Sequence, residues 1–258
     1  MNGKVTLVGA GPGDPELLTL KALRAIEQAE VLLIDDLVNR EILAYAPADA
    51  RLIEVGKRGG CASTPQDFIE RLMVAEAQAG RRVVRLKGGD PYLFGRGGEE
   101  RATLSAHGIE VEVVPGISSG LAAPTSIGVP LTHRAWSQGA IFVTGHGKDA
   151  GSEPNWSALA QSGLTLVIYM GVARCEAIQA GLVAGGLAAQ TPVAVVQSAT
   201  RADQRQLLTT LGALPAALCD SGLGSPSIIV VGEVVRCADA WECTDSVQVC
   251  TATWQKQG

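Results

Sequence analysis

The sequence predicts an α/β protein that consists of two α/β domains. Apolar, β-branched runs recur along the chain and alternate with helical patterns, which indicates mostly parallel sheets with helices on their faces. Glycine-rich or acidic turns follow several of these runs, as is typical of loops at the carboxyl ends of parallel strands. The alternation breaks at Pro124–Arg134, which holds two prolines, and then restarts.

The first half of the chain is expected to form one domain, residues 1–115. Its predicted strands are Lys4–Gly9, Val31–Ile34, Arg51–Val55, Arg82–Leu86 and Glu110–Val114. An amphipathic pattern predicts a single helix from Pro15 to about Ala29, and shorter helical patterns follow at Asn39–Tyr45 and Glu99–His107. Another helix is predicted to begin at Thr64-Pro65, with the threonine as N-cap, and to end at Gly80.

The second half is expected to form another domain, residues 116–236, after a hinge at about residues 115–134. Its predicted strands are Ala140–Thr144, Thr165–Tyr169, Val193–Val196, Gln204–Thr210 and Ile228–Val231. Helical patterns lie at Val172–Val183 and Gly212–Cys219. The alternation fades after Val235, so residues 237–258 are expected to form a peripheral tail.

Composition excludes several classes of protein. The chain has 258 residues, 47% of them hydrophobic, and a net charge of −5, which indicates packed cores and no global basic surface for nucleic acid. No apolar run is long enough to span a bilayer. The six cysteines form no CxxC pair and no Cys/His cluster with zinc spacing, so no metal site is expected. The chain runs from its first residues directly into a strand, and we therefore expect a cytoplasmic protein.

The stretch Arg85–Glu100, RLKGGDPYLFGRGGEE, is the main candidate for a ligand site. Gly88-Gly89 follows a strand and lets the backbone approach a ligand closely. Asp90 offers a carboxylate to hydroxyls or to an amine, and Arg96 and Glu99 follow one short turn later. A long surface turn is the alternative for this stretch, but so many unusual residues in one βα loop favour a ligand site.

A second glycine-rich loop, VGAGPGD at Val8–Asp14, lies between the first strand and the first helix. It resembles a dinucleotide fingerprint, and Asp35 falls at about the spacing that holds a ribose hydroxyl. However, the last fingerprint position is the acidic Asp14, and Pro12 removes one N–H donor. A tight turn with Asp14 as the helix N-cap is the alternative.

Four further residues have both a functional and a structural interpretation. Asp35 ends the second strand and could act in proton transfer, and Lys57 ends the next strand, where the two could instead form a structural ion pair. Arg134, in PLTHR, could bind a substrate carboxylate or belong to a linker. Met170 could pack in the core or against a flat ligand.

The ordered set of motifs resembles the tetrapyrrole methylases from about Lys4 to Val235. These motifs occur in family order, and they are GAGPGDPELLTLKA, LIDDLV, GKRGG, RLKGGDPYLFGRGGEE, VVPGISS, PLTHR, TGH, YMG, PVAVVQSATRADQR and SPSIIVVGEVV. The resemblance implies a class III methyltransferase fold of two α/β domains, a homodimer, and S-adenosylmethionine bound in the cleft between the domains. It implies transfer of two methyl groups to C2 and C7 of uroporphyrinogen III, giving precorrin-2 by way of precorrin-1 for sirohaem, cobalamin or haem d1 synthesis.

The resemblance also implies roles for individual residues. The implied S-adenosylmethionine contacts are Pro12, Gly88, Gly89, Asp90, Leu93, Ser118, Ser119, Met170 and Ala199. Asp35 matches a proposed proton acceptor and Lys57 a proposed donor, while Arg96 and Glu99 match residues implicated at the substrate. Arg134 and Met170 are further expected substrate contacts. Many relatives have Thr-Ala where this chain has Ser118-Ser119.

Three other functions remain open at this point. A neighbouring methylase of the corrin pathway, acting on a later precorrin, would share most of these motifs. A pyridine-nucleotide oxidoreductase is the alternative that Val8–Asp14 and Asp35 would support. A non-catalytic sensor of tetrapyrrole or S-adenosylmethionine is the third.

Overall fold

The computed structural model describes residues 3–56, 64–147 and 153–241, and the backbone of a strand at 248–250. Contacts divide the chain into two compact units, Met1–Ser118 and Ser119–Gly258. The predicted domain boundaries, at 115/116 and 236/237, stay predictions. Within the described residues, each unit is built around one β-sheet.

The first unit contains a five-stranded, wholly parallel sheet in the order β3-β2-β4-β1-β5. Its elements are β1 (Lys4–Gly9), α1 (Leu20–Glu27), β2 (Val31–Ile34), β3 (Arg51–Glu54), α2 (Gln66–Gln78), β4 (Val83–Lys87), α3 (Gly97–Ala106) and β5 (Glu110–Val114). Short 3-10 turns lie at Pro15–Leu17 and Arg40–Tyr45. All five strands that the sequence predicts are present.

The helix predicted from Pro15 to Ala29 is two separate elements. Asp14 accepts a hydrogen bond from Glu16 N and caps the 3-10 turn, as the loop sequence suggested. The chain is then extended at Thr19, whose hydroxyl accepts from Ala22 N and starts α1 afresh. A second N-cap thus interrupts what looks like one amphipathic period.

Helix α2 also begins differently from the prediction. Its N-cap is Pro65, which forms no side-chain cap, so the assignment of Thr64 as N-cap is wrong. The predicted closing glycine is confirmed, because Gly80 has φ +83°. Such a left-handed conformation favours glycine at the end of a helix.

The second unit contains a six-stranded mixed sheet in the order β11-β9-β8-β10-β7-β6. Its elements are α4 (Ser119–Thr125), β6 (Ala140–Thr144), α5 (Trp156–Ala160), β7 (Thr165–Tyr169), α6 (Cys175–Ala184), β8 (Pro192–Gln197), β9 (Arg205–Thr210), α7 (Leu214–Ser221), β10 (Ser227–Val231) and β11 (Gln248–Cys250). Only β6 and β7 pair in parallel, and the other pairs are antiparallel. The α/β class is therefore confirmed, but a mostly parallel sheet is correct for the first unit alone.

Each sheet has an apolar layer of buried side chains on the helix-covered faces. In the first unit one such layer joins Val5, Leu7, Leu33 and Val83 to the buried residues of α2. In the second unit the strands β7, β8 and β10 are buried along nearly their whole length. Full burial explains why these strands appear as continuous apolar runs without alternation.

Candidate functional site

Three loops of the first unit converge at the carboxyl ends of the adjacent parallel strands β4, β1 and β5. Gly89 N donates to Gly11 O at 2.7 Å, and Gly11 N donates back to Gly89 O at 3.3 Å. The loop after β5 joins them through Gly116 N, which donates to Asp90 Oδ2 at 3.1 Å. The glycine-rich loop near the start of the chain and the loop at Arg85–Glu100 are therefore direct neighbours.

Glycine is required where these loops touch. A Cβ built on Gly9 would lie 2.5 Å from Gly116 N and 2.6 Å from Gly89 O, closer than real Cβ contacts come. Gly11 and Gly89 also have φ of +74° and +67°, values that residues with a side chain rarely adopt. The density of glycine that marked these loops in the sequence thus serves close backbone packing around one site.

The carboxylate of Asp90 is fixed at this junction. Its Oδ1 accepts from Tyr92 N at 2.8 Å, while its Oδ2 accepts from Gly116 N. Each oxygen keeps further acceptor capacity, so the group can also accept from a ligand hydroxyl or amine. Pro12 follows Gly11 in the first loop, and Leu93 follows Tyr92. Both residues are half-buried.

Arg96 and Glu99 form an exposed ion pair at the start of α3. Arg96 Nη2 and Nε donate to the two carboxylate oxygens of Glu99 at 2.6 and 3.1 Å. The hydrogen bond from Arg96 to Glu99 raises the pKa of Arg96 above its ordinary value. Both Phe94 and Arg96 have positive φ, +54° and +57°, and such strained backbone is concentrated at functional sites.

Asp35 follows β2, the strand next to β4, at the same edge of the sheet. Its Oδ1 lies 3.4 Å from Arg85 Nη2. The predicted proton donor, Lys57, lies outside the described residues. Ser118 is buried at the end of the first unit, two residues after Gly116.

Sequence reasoning missed three charged residues beside this edge. Arg85 and Lys87 of β4 and Glu100 of α3 are buried, and Glu100 Oε1 contacts Arg85 Nε at 3.2 Å and Lys87 Nζ at 3.0 Å. Burial lowers the pKa of Lys87, and the charge of Arg85 adds to this effect, while Glu100 and Asp35 oppose it. The sequence signal for these residues is a pair of cations at alternate positions of an apolar strand.

In the second unit, the predicted contacts Met170 and Ala199 follow two strands that end at the same edge. Both β7 and β8 run antiparallel to β10, so their carboxyl ends lie on one side of the sheet. Met170 is half-exposed with φ +55°, and the neighbours of Ala199 also have positive φ, +49° at Ser198 and +66° at Thr200. An exposed methionine held in this conformation does not fit the alternative of core packing.

Two contacts support this edge of the second sheet. Gly120 N donates to Tyr169 Oη at 2.8 Å, which ties the residue before Met170 to the first turn of α4, next to Ser119. Thr200 N donates to Gln204 Oε1 at 2.6 Å. The backbone that carries Met170 and Ala199 is therefore braced by buried side chains.

Arg134 lies in an exposed turn of the second unit. The turn is closed by hydrogen bonds between His133 and Ser137, and the His133 ring stacks on Trp136 with centroids 4.5 Å apart. Arg134 is thus an exposed residue of a hydrogen-bonded turn.

Clusters of metal ligands and membrane-spanning helices are both absent from residues 3–56, 64–147 and 153–241. No group of three or more His, Cys, Asp or Glu side chains there could hold a metal ion. Within the same ranges no helix has the length and apolar character needed to cross a membrane.

Comparison with known proteins places this arrangement in a family. The model of the tetrapyrrole (corrin/porphyrin) methylases matches residues 4–215. A uroporphyrinogen-III C-methyltransferase of Pseudomonas aeruginosa is 59% identical over 92% of this chain and 96% of its own length. A siroheme synthase 2 of Aeromonas hydrophila is 53% identical over 93% of this chain, which spans only 51% of that relative.

A solved structure has the same architecture. The uroporphyrin-III C-methyltransferase of Thermus thermophilus, complexed with S-adenyl homocysteine, matches with a TM-score of 0.78 and 41% identity. The match covers 91% of this chain and 94% of that one.

Proposed function

Because this chain belongs to the tetrapyrrole (corrin/porphyrin) methylases, we propose that it catalyses S-adenosylmethionine-dependent C-methylation of uroporphyrinogen III. The methyl groups pass in turn to C2 and C7, giving precorrin-2 by way of precorrin-1 for sirohaem, cobalamin or haem d1 synthesis. The observation that carries this proposal is the likeness to the uroporphyrinogen-III C-methyltransferase of Pseudomonas aeruginosa, which extends along nearly the full length of both chains.

The residues of the first unit fit S-adenosylmethionine, which supplies an activated methyl group as a sulfonium. Its hydroxyls and amine need acceptors, and the fixed carboxylate of Asp90 provides them beside loops whose glycines leave the backbone accessible. We assign the cofactor to the residues that the family motifs match, which are Pro12, Gly88, Gly89, Asp90, Leu93, Ser118, Ser119, Met170 and Ala199.

This chain's contribution to methyl transfer is to align a pyrrole carbon with the methyl group of the sulfonium, which leaves as a thioether. The cation that forms on the macrocycle then loses a proton to a base. Alignment of two reactants alone contributes large rate factors. A positioned base adds on the order of 10²–10⁴-fold. We assign proton transfer to Asp35 and Lys57, with Arg96 and Glu99 at the substrate.

The substrate is a polycarboxylate, which the net charge of −5 would repel. Local cations therefore have to bind it, and a guanidinium binds a carboxylate through two parallel hydrogen bonds. We assign this role to Arg96 and Arg134, and we assign Met170 to packing on the macrocycle. The pairing of Arg96 with Glu99 supports this assignment, because it orients the guanidinium before substrate arrives.

We further propose that the enzyme is a cytoplasmic homodimer that binds neither membrane nor nucleic acid. The family resemblance supports the dimer, and the acidic net charge supports the exclusion of nucleic acid. Light scattering during gel filtration tests the dimer, and a mass of one chain would overturn it.

The activity is tested by incubating the protein with uroporphyrinogen III and labelled S-adenosylmethionine. We expect a doubly methylated product, and its absence would overturn the proposed function. Methylation of a later precorrin alone would assign the chain to the corrin pathway. Calorimetry with S-adenosylhomocysteine and NAD(P)H excludes an oxidoreductase if only the former binds.

Arg96→Ala tests the substrate assignment. We expect it to retain binding of S-adenosylhomocysteine and to lose most turnover, on the order of 10²-fold or more, because the substrate is no longer oriented. Arg71→Ala is the matched control, since Arg71 forms a similar exposed helical ion pair with Asp67. Unchanged turnover of Arg96→Ala would remove this residue from the site.

A further inference from the structure

A layer of buried charge separates the apolar core of the first unit from the proposed active site. Side chains alternate along β4, so Val83, Arg85 and Lys87 share one face. Val83 packs among Val5, Leu7 and Leu33 in the core, but the next two positions on that face are cations. In the adjacent strand β2, Leu33 pairs with Arg85, and Asp35 is the next residue on the same face.

Arg85 bridges two carboxylates across this layer. Its Nε donates to Glu100 Oε1 at 3.2 Å, and its Nη2 lies 3.4 Å from Asp35 Oδ1. A further nitrogen, Nη1, donates to Leu86 O at 3.1 Å, which fixes the plane of the guanidinium. The side chain of Arg85 is 2% exposed, that of Glu100 is 0% exposed, and that of Asp35 is 34% exposed. The bridge therefore runs from the interior to the surface where the substrate is proposed to bind.

Glu100 is held in turn by three donors on a single oxygen. Its Oε1 accepts from Arg85, from Lys87 Nζ at 3.0 Å and from Gln66 Nε2 at 3.1 Å. These contacts join the end of β4, the first turn of α2 and the first turn of α3. The anchor of the bridge is thus immobilised by two helices and one strand.

The cost of this arrangement indicates a role beyond folding. Removing ions from water costs several kcal/mol each, and apolar side chains of similar volume often stabilise a core equally well. Within the layer, two cations face one fully buried carboxylate, and Asp35 supplies the second carboxylate. A guanidinium is suited to this task because its fork of donors meets two partners in a defined geometry.

We infer that Arg85 is a positioning residue that orients the Asp35 carboxylate for proton transfer, and that Glu100 holds Arg85 in place from the interior. This inference rests on the proposed function, because it acts through the base assigned there. Neither Arg85 nor Glu100 needs to touch the substrate. A base within hydrogen-bond reach must be aligned with the proton that it removes, so loss of the bridge should lower turnover without changing ligand affinity.

A double-mutant cycle between Arg85→Met and Asp35→Asn tests the inference. The measured quantities are kcat and KM for methylation of uroporphyrinogen III, and the Kd of S-adenosylhomocysteine. We expect Arg85→Met to lower kcat by about 10- to 100-fold in the wild-type background, which is at most the lower end of what a positioned base contributes, because the base is misaligned but not removed. In the Asp35→Asn background the same change should have no further effect on kcat, because no carboxylate remains to be oriented.

Two variants keep the test decisive. If Arg85→Met does not fold, Arg85→Lys replaces it in the same cycle, since an ammonium keeps the buried charge but cannot bridge both carboxylates. Arg51→Met is the matched control, because Arg51 pairs with the buried Glu76 at the opposite edge of the same sheet. Its kcat should equal that of the wild type.

Three outcomes would overturn the inference. Equal losses of kcat in both backgrounds would mean that Arg85 does not act through Asp35. Full turnover of Asp35→Asn would remove the base through which Arg85 is inferred to act. Absence of turnover in the wild-type protein would overturn the proposed function, and this inference with it, so the two failures are distinguishable.

Discussion

The first unit buries a glutamate at each end of its parallel sheet, and the two glutamates are held differently. Glu76 of α2 lies at the amino-terminal edge, where Arg51 contacts its Oε1 at 2.8 Å and Arg81 contacts its Oε2. Both arginines are about half-exposed to solvent. Water therefore solvates much of their charge, and this cluster has the features of an ordinary ion pair at a sheet end.

Glu100 at the carboxyl-terminal edge has the opposite arrangement. Its cationic partners, Arg85 and Lys87, are as buried as the glutamate itself. No hydrogen-bond partner of Glu100 Oε2 is found among the described residues. The cationic partners are thus exposed at the amino-terminal end of the sheet, and they are buried at the end that leads to the proposed active site.

The largest expected difference is in the free energy of unfolding, when each of the two glutamates is replaced by alanine. Glu100→Ala leaves two buried cations without their common partner, which should lower the free energy of unfolding by roughly 3–5 kcal/mol. Glu76→Ala leaves two arginines that water can solvate, so its loss should be about 1 kcal/mol or less. Urea unfolding of both variants measures the difference. Equal losses would mean that the two clusters are energetically alike.

A smaller effect is expected from adding a methyl group at the same edge. Gly9→Ala places a Cβ against the backbone of Gly116 and Gly89, which cannot move aside without shifting a strand end. We expect roughly 1–3 kcal/mol of destabilisation from this overpacking. Gly98→Ala is the control, because a Cβ there meets nothing within 4 Å and helix propensity favours alanine by about 1 kcal/mol.

Thermal unfolding of the two alanine variants measures this contrast. We expect the Tm of Gly9→Ala to fall and that of Gly98→Ala to rise. A normal Tm for Gly9→Ala would show that the glycine loops are not packed against one another as closely as described.

The smallest effect on stability is expected from removing the ion pairs of Glu112, which lies on the other face of this sheet. Glu112 of β5 accepts from Lys21 Nζ at 2.5 Å and Lys4 Nζ at 2.6 Å, and these hydrogen bonds lower the pKa of Glu112 below its ordinary value of 4.5. Between the folded pKa and about 4.5 the unfolded chain binds more protons, so stability rises with pH there. The contribution is complete above that window and is lost as pH falls through the folded pKa.

Glu112→Gln tests whether the ion pairs of Glu112 make stability rise with pH. The variant should be less stable than the wild type by roughly 0.2–1 kcal/mol at neutral pH, because the pairs are only partly buried. The gap should close as pH falls below the folded pKa, where the wild-type carboxyl is also neutral. Urea unfolding across that pH range checks it, and a gap that widens in acid would contradict the assigned pairing.

The sequence predicted the elements of this fold far better than their arrangement. The ten predicted strands are all present, including the additional strand at Gln204–Thr210, which is β9 at Arg205–Thr210. Asp14 is the N-cap of the first turn, and Gly80 ends helix α2, as the sequence indicated for both residues. By contrast, the helix predicted from Pro15 to Ala29 is divided, because Thr19 starts a new cap inside the apolar period.

The residues of the candidate site differ in how far the sequence indicates them. The family resemblance implies that Pro12 and Asp90 contact one ligand, and the structure brings their two loops together through Gly11 and Gly89. Glu100 was missed because a glutamate in the first turn of a helix is ordinarily exposed and favoured by the helix dipole. Only its packing against β4 makes it the buried partner of two cations.

What the sequence by itself determined is local: the period of each strand and helix, the caps, the glycine turns and the family to which the motifs belong. These properties follow from interactions between residues close together in the chain. Only the tertiary structure decided that the second sheet is mostly antiparallel, although strands and helices alternate there too, and that Arg85 bridges Glu100 to Asp35. The pairing of the second sheet and the burial of these charges depend on contacts between segments that are distant in the chain.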